Sequence, residues 1–231
     1  IDEALDIAKK ADDHYLVLSH IAEDLASIGR IDEALGVIRR INNIHGKCYA
    51  IRSITKITKV LRSYDGIVKV LNIIKGIKVA QPRADQQVSR VALEQLIEAL
   101  AYMIIALASM GRQDEAGNIV NEILVRSHQI DALSDGSSDR AYSWVARAIA
   151  LASTGRLDEA FNALKNIEDD FDRDRAFIHM AGVLASRGEV NEALAIARKV
   201  GELFRESAFC EIARALALRG MVNEALEIVK A

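Results

Sequence analysis

Apolar residues recur along this chain at spacings of three and four, on both sides of a short break that contains glycine. Around Gly155, the residues Trp144, Ala148, Leu151 and Ala152 fall on one face of a helix. Leu157, Ala160, Leu164 and Ile167 do the same on the other side of the break. Thr154-Gly155-Arg156 separates the two stripes, and glycine readily takes the positive φ that ends a helix. Asp158 and Glu159 then open the second helix, where its dipole favours negative charge. The unit is predicted as helix A, tight turn, helix B. Neither helix can bury its own stripe alone.

The unit returns. Its copies are LASIGRIDEA (25–34), LASMGRQDEA (107–116), LASTGRLDEA (151–160), LASRGEVNEA (184–193) and LALRGMVNEA (216–225). IDEALDIAKK opens the chain as a half copy, and LRSYDGIVKV (61–70) keeps the apolar spacing but replaces the small residues. Self-similarity at this interval marks a stacked-repeat architecture. The expected fold is all-α: a single array over residues 1–231, with one opening helix B followed by six antiparallel A–B pairs and no strand. Two stretches break the rhythm and are predicted as loops, 79–90 (with Pro82, leading into a long helix A) and 128–140 (with Ser, Asp and Gly clustered).

These positions resemble the tetratricopeptide repeat. The family's helix-A aromatic matches Trp144, Phe177 and Phe209, with Leu18, Ile54 and Leu100 in the other units. Its small helix-A residue matches Ala22, Ala148, Ala181 and Ala213, and its turn glycine matches Gly29, Gly111, Gly155, Gly188 and Gly220. Its helix-B alanine matches Ala34, Ala116, Ala160, Ala193 and Ala225. The helix-A tyrosine is replaced by leucine, the closing proline is missing, and the alanine-to-alanine interval is 44, then 33, then 32 residues. The resemblance implies a right-handed α-α superhelix, a solenoid of about six and a half degenerate repeats, with helix A lining the inner wall. The family's carboxylate clamp is not matched. Its positions here carry Ser19 and Glu23, Thr55 and Lys59, Ala101 and Ile105, and Val145 and Ile149.

Composition changes the picture mainly through charge. The net charge of −3 hides a contrast: residues 39–83 carry eleven basic side chains against one acid, Asp65. Aligning Leu61 with Leu25 puts Arg52, Lys56, Lys59 and Arg62 on one helix A, an expected electrostatic site for a protein or peptide with an acidic segment. The same patch also suits self-association, or contact with the chain's own acidic units. The inner wall beside it, Ala101, Ile105, Tyr142, Val145 and Ile149, reads either as an apolar groove for a partner segment or as packing between helices.

Candidate chemistry adds little. The five histidines stand at no metal-ligand spacing, and His20 and His179 read as surface positions. Asp170, Asp172 and Asp174 resemble the start of a calcium loop, but Arg175 and Ala181 stand where glycine and glutamate are needed, so helix capping explains them better. No phosphate-binding loop, nucleophile elbow or carboxylate pair is present, so no enzymatic activity, cofactor or metal is expected. Cys48 and Cys210 read as ordinary thiols. With no run of 18 apolar residues and no secretory segment, the expected location is cytoplasmic and no membrane partner is expected. The chain opens in mid-repeat and closes on the stripe Met221, Ala225, Ile228 and Val229, which reads as a piece of a longer protein or an end covered by another chain. The expected function is a protein–protein interaction scaffold or sensor module. An RNA-binding helical repeat and a self-associating structural module are the alternatives. The irregular period and scarce aromatics argue against RNA.

Overall fold

The computed structural model describes residues 14–57, 62–77, 86–133 and 141–230. These form twelve α-helices and, among the described residues, no strand. In chain order they are α1 (His14–Ser27), α2 (Ile31–Arg40), α3 (Ile44–Thr55), α4 (Tyr64–Gly76), α5 (Gln86–Ser109) and α6 (Gln113–Leu133). There follow α7 (Ala141–Ser153), α8 (Leu157–Leu164), α9 (Asp170–Arg187), α10 (Val190–Ala197), α11 (Glu202–Leu218) and α12 (Val222–Lys230). By the sequence pattern they alternate as helices A and B. The expected opening helix over residues 1–10 lies outside the described residues.

The chain divides into two compact units, residues 1–102 and 103–231, where the sequence pattern reads as one array. The boundary falls inside α5. In the first unit α1 packs on α2 and on α3, and α2 touches α3. In the second, α7 packs on α8 and α9, α9 on α10 and α11, and α11 on α12, with α10 also meeting α11. Helices therefore pack in sequential pairs.

Five turns between helices A and B are built identically, and they explain the repeated letters. Gly29, Gly111, Gly155, Gly188 and Gly220 have φ between 74° and 91°. Each glycine N–H bonds to the carbonyl of the alanine three residues back, and the next residue's N–H bonds to the carbonyl of the repeated leucine. For Gly155 these are Ala152, at 3.0 Å, and Leu151, at 3.0 Å from the Arg156 nitrogen. Two otherwise orphaned carbonyls at the end of helix A are satisfied this way. The helix-B alanine then closes the first bond of its helix, as Ala160 does to Arg156 at 3.0 Å. Its methyl is small enough for a close crossing: Ala34, Ala160 and Ala193 are 0% exposed.

Close approach also shapes the first unit. A Cβ on Gly46 of α3 would lie 2.5 Å from the Tyr15 ring of α1, so only glycine fits there. Three helices begin on polar side chains that accept a backbone N–H: Asn43 from Gly46, Ser63 from Gly66 and Asp169 from Asp172. The last of these accounts for part of the aspartate cluster as helix capping.

Both predicted loops are shorter than expected. Helix α6 continues to Leu133 because its apolar face continues: Ile119, Ile123 and Ile130 are each 0% exposed. Helix α5 already begins at Gln86, and Pro82 lies outside the described residues. Residues 88–109 of α5 are long and apolar enough to cross a membrane, contrary to the reading of the sequence, but 89% of the apolar window is buried within the protein. It is a core helix.

Candidate protein-binding surface

The basic segment is arranged differently from its prediction. Helix α3 stops at Thr55, where β-branched residues crowd its end, and α4 does not start until Tyr64. Arg52 therefore lies in the last turn of α3, Lys56 caps that helix, and Arg62 is exposed just ahead of the α4 cap at Ser63. Lys59 lies outside the described residues. Arg52, Lys56 and Arg62 do not share one helix.

Arg52 and Lys56 turn toward the chain's own Glu98 on α5. Arg52 Nη1 stands 3.2 Å from Glu98 Oε2, and Lys56 Nζ stands 3.5 Å from Oε1. The Tyr102 hydroxyl donates to Oε1 at 3.1 Å. Each cation also lies over an aromatic ring, Arg52 over Tyr49 at 5.5 Å and Lys56 over Tyr102 at 5.4 Å. Glu98 is only 8% exposed, and a carboxylate so deep is held by paired charge. The contact with the chain's own acids, one of the readings left open above, accounts for these two residues.

Lys69 is used similarly. Its ammonium lies 2.7 Å from both Asp32 on α2 and Asp65 on α4, tying two successive B helices together. The hydrogen bond to Asp32, then that to Asp65, raises its pKa above the ordinary lysine value. Beyond this bridge, Arg39 and Arg40 are exposed in the last turn of α2, and Lys75 is exposed in the last turn of α4. Arg39 and Lys75 hold matching places, two residues before the caps Ile41 and Ile77. Each of the three stands in the last turn of its helix, where positive charge is favoured. The sequence reading counted these three among the basic residues without naming them as a site.

The predicted apolar wall is closed. Val145 is 0% exposed, Ile149 1% and Tyr142 3%. Ile105 reaches α9, where its Cδ1 lies 3.0 Å from the place a Cβ on Gly182 would occupy. Ser109 Oγ contacts the Ala215 carbonyl of α11 at 3.4 Å. The end of α5 thus lies against α9 and α11 within the second unit. Tyr142 is also covered by a cation: the Arg175 guanidinium stacks 4.5 Å from its ring and donates to its hydroxyl at 2.8 Å. These residues serve packing, the second of the two readings given for them.

Two arginines that the sequence reading passed over join successive repeats. Arg187 Nη1 donates to the Ser153 carbonyl at 2.9 Å, and Arg219 Nη1 to the Ser186 carbonyl at 2.8 Å. Each reaches back one repeat to the end of the previous helix A. The signal was available, since both stand immediately before a turn glycine. His179 also differs from its prediction: it is 5% exposed because α9 is flanked by both α7 and α11, whereas His20 is exposed. No group of three metal-type side chains occurs among the described residues.

No protein-family model matches this chain, and no curated protein matches it either.

Proposed function

We propose that this chain is a protein–protein interaction module of the tetratricopeptide-like kind, a right-handed solenoid of helix pairs that presents surfaces rather than an active site. The observation that carries the reading is the set of five identical glycine turns, each joining a helix pair that leans on its neighbours. Such a scaffold multiplies surface without gathering reactive groups. We further propose that its partner is a protein segment rich in acidic residues, met by Arg39, Arg40 and Lys75. Arg52 and Lys56 serve mainly to hold Glu98.

The test is a labelled Glu/Asp-rich peptide titrated against the chain at low and physiological salt, followed by fluorescence anisotropy. Binding should weaken with salt, because exposed charges are screened over about 8 Å at physiological ionic strength. Changing Arg39, Arg40 and Lys75 together to glutamate should remove it, with helical content unchanged. Undiminished binding by that triple variant sinks the assignment of these three residues.

A further inference from the structure

The turn that closes a helix A does not use every carbonyl at the helix end, and in the second unit the following repeat supplies a partner for one of them. The turn after α7 satisfies the carbonyls of Leu151 and Ala152, and the turn after α9 those of Leu184 and Ala185. The next carbonyl along, Ser153 in the first case and Ser186 in the second, takes no part in those bonds and stands at the negative end of its helix. A guanidinium from one repeat further on meets it. Arg187 Nη1 lies 2.9 Å from the Ser153 oxygen, and Arg219 Nη1 lies 2.8 Å from that of Ser186.

The turn glycine leaves room for that guanidinium. A Cβ on Gly155 would lie 3.1 Å from Arg187 Nη2, and one on Gly188 would lie 3.4 Å from Arg219 Nη2. Arg187 is also held on its own side, where Nε donates to Glu189 Oε1 at 2.7 Å. One planar fork thus joins the end of α7 to the residue that opens α10. Met221 stands where a glutamate would anchor Arg219 in the same way. Ile28, Met110 and Thr154 precede the other three turn glycines, and the Thr154 hydroxyl bonds to Leu151 of its own repeat at 2.9 Å.

We infer that Arg187 and Arg219 make helix pairs α7–α8, α9–α10 and α11–α12 open and close as one cooperative body. The reason is where donor and acceptor stand. A bond inside one pair stabilises that pair whether or not its neighbour is folded. A bond from one pair to the next exists only while both are folded, and such interface bonds set how far an opening spreads along a stack of repeats. The two arginines are therefore couplers, and each has a definite place: Arg187 between the first and second of these pairs, Arg219 between the second and third.

The test is native-state hydrogen exchange on the intact chain, in the parent and in Arg187→Ala and Arg219→Ala. Arg187 is half-buried and Arg219 exposed, so both variants should keep the parent's circular dichroism. In the parent the slowest amides of α7, α9 and α11 should exchange at one rate. In Arg187→Ala those of α7 should exchange about tenfold faster than those of α9 and α11, which stay together; a single charge-assisted hydrogen bond has that equilibrium weight. In Arg219→Ala the division should move one repeat along. There α11 should leave α7 and α9, by a smaller factor because Arg219 lacks the anchor that Glu189 gives Arg187.

Four outcomes overturn the inference. Rates in the parent that already differ tenfold among α7, α9 and α11 mean there is no single body to divide. Parent-like exchange in both variants means the apolar faces alone couple the pairs. Faster exchange spread equally over the three helices means the arginines stabilise the whole without linking its parts. Faster exchange confined to the amides of the turns means a local cap and nothing more.

Discussion

Pairs α3–α4 and α9–α10 hold equivalent places in one sequence pattern but are held by different forces. In α9–α10 the turn is a backbone device: Gly188 at φ 90°, two hydrogen bonds to the helix end, and Arg219 from the next repeat reaching the Ser186 carbonyl. In α3–α4 there is no turn glycine. Helix α3 ends on Lys56 in the right-handed region, and its last turn is tied down by the Arg52–Glu98–Lys56 group. Backbone turns are insensitive to salt and to neighbouring charge, whereas ion pairs respond to both. Where the pattern lacks its glycine, the end of the helix is tied by ion pairs instead.

The largest expected effect lies on the packed side of the comparison. Leu184 is 0% exposed, and its carbonyl accepts the turn bond from Glu189. Leu184→Ala should lower unfolding free energy by about 3 kcal/mol in urea titrations, through the cavity it leaves, with little dependence on salt. A salt-sensitive loss would break the distinction.

Next comes the charged side. Glu98→Gln leaves two cations facing a neutral amide and should cost about 2 kcal/mol, less than a fully buried pair because Arg52 and Lys56 are partly in water. The loss should shrink as salt rises. If Glu98→Gln unfolds like the parent, the group is surface decoration.

A smaller and sharper effect separates the turns from one another. Alanine at Gly155 or at Gly220 must adopt positive φ, which costs about 1 kcal/mol. At Gly155 the new Cβ would also lie 3.1 Å from Arg187 Nη2, while at Gly220 it meets nothing within 4 Å. Gly155→Ala should therefore melt below Gly220→Ala, and adding Arg187→Ala should shrink the excess.

The smallest effect is at the starts of B helices. Hydrogen bonding from Arg156 holds the Glu159 carboxyl below its ordinary 4.5, and Arg112 does the same for Glu115. A lowered folded pKa means stability that is present above pH 4.5 and lost as the pH falls through the lowered value. Glu159→Gln should lower the neutral plateau of the melting profile slightly and flatten its acid side by the same small amount, small because both groups face water.

Much of the fold was legible in the sequence because the glycine turn is a local device. Five residues fix it, and nothing distant is needed to recognise Gly155 or Gly188. The candidate site was less legible because it depends on where a helix ends. Leu61 aligned correctly with Leu25, as the matched caps Ile77 and Ile41 show, yet α3 stops eight residues before the place that alignment implies. That displaced Arg62 from its assumed face. Tyr142, Val145 and Ile149 were rightly read as an apolar face, but one helix stripe does not say whether water or another helix covers it. Here long-range packing decided, through the end of α5. Arg187 and Arg219 were missed because long side chains that cap a neighbouring repeat look like ordinary surface charge.

The turn has a consequence for how such a chain changes length. Its bonds use only the leucine, alanine and glycine before the junction and one backbone N–H after it, and that following residue is Arg, Arg, Arg, Glu or Met in the five cases. Gly155 and Gly188 are interchangeable splice points. Excising the 33 residues 156–188 joins Gly155 directly to Glu189 and restores every hydrogen bond of the junction. Such a deletion would shorten the molecule by one helix pair without inventing a new connection.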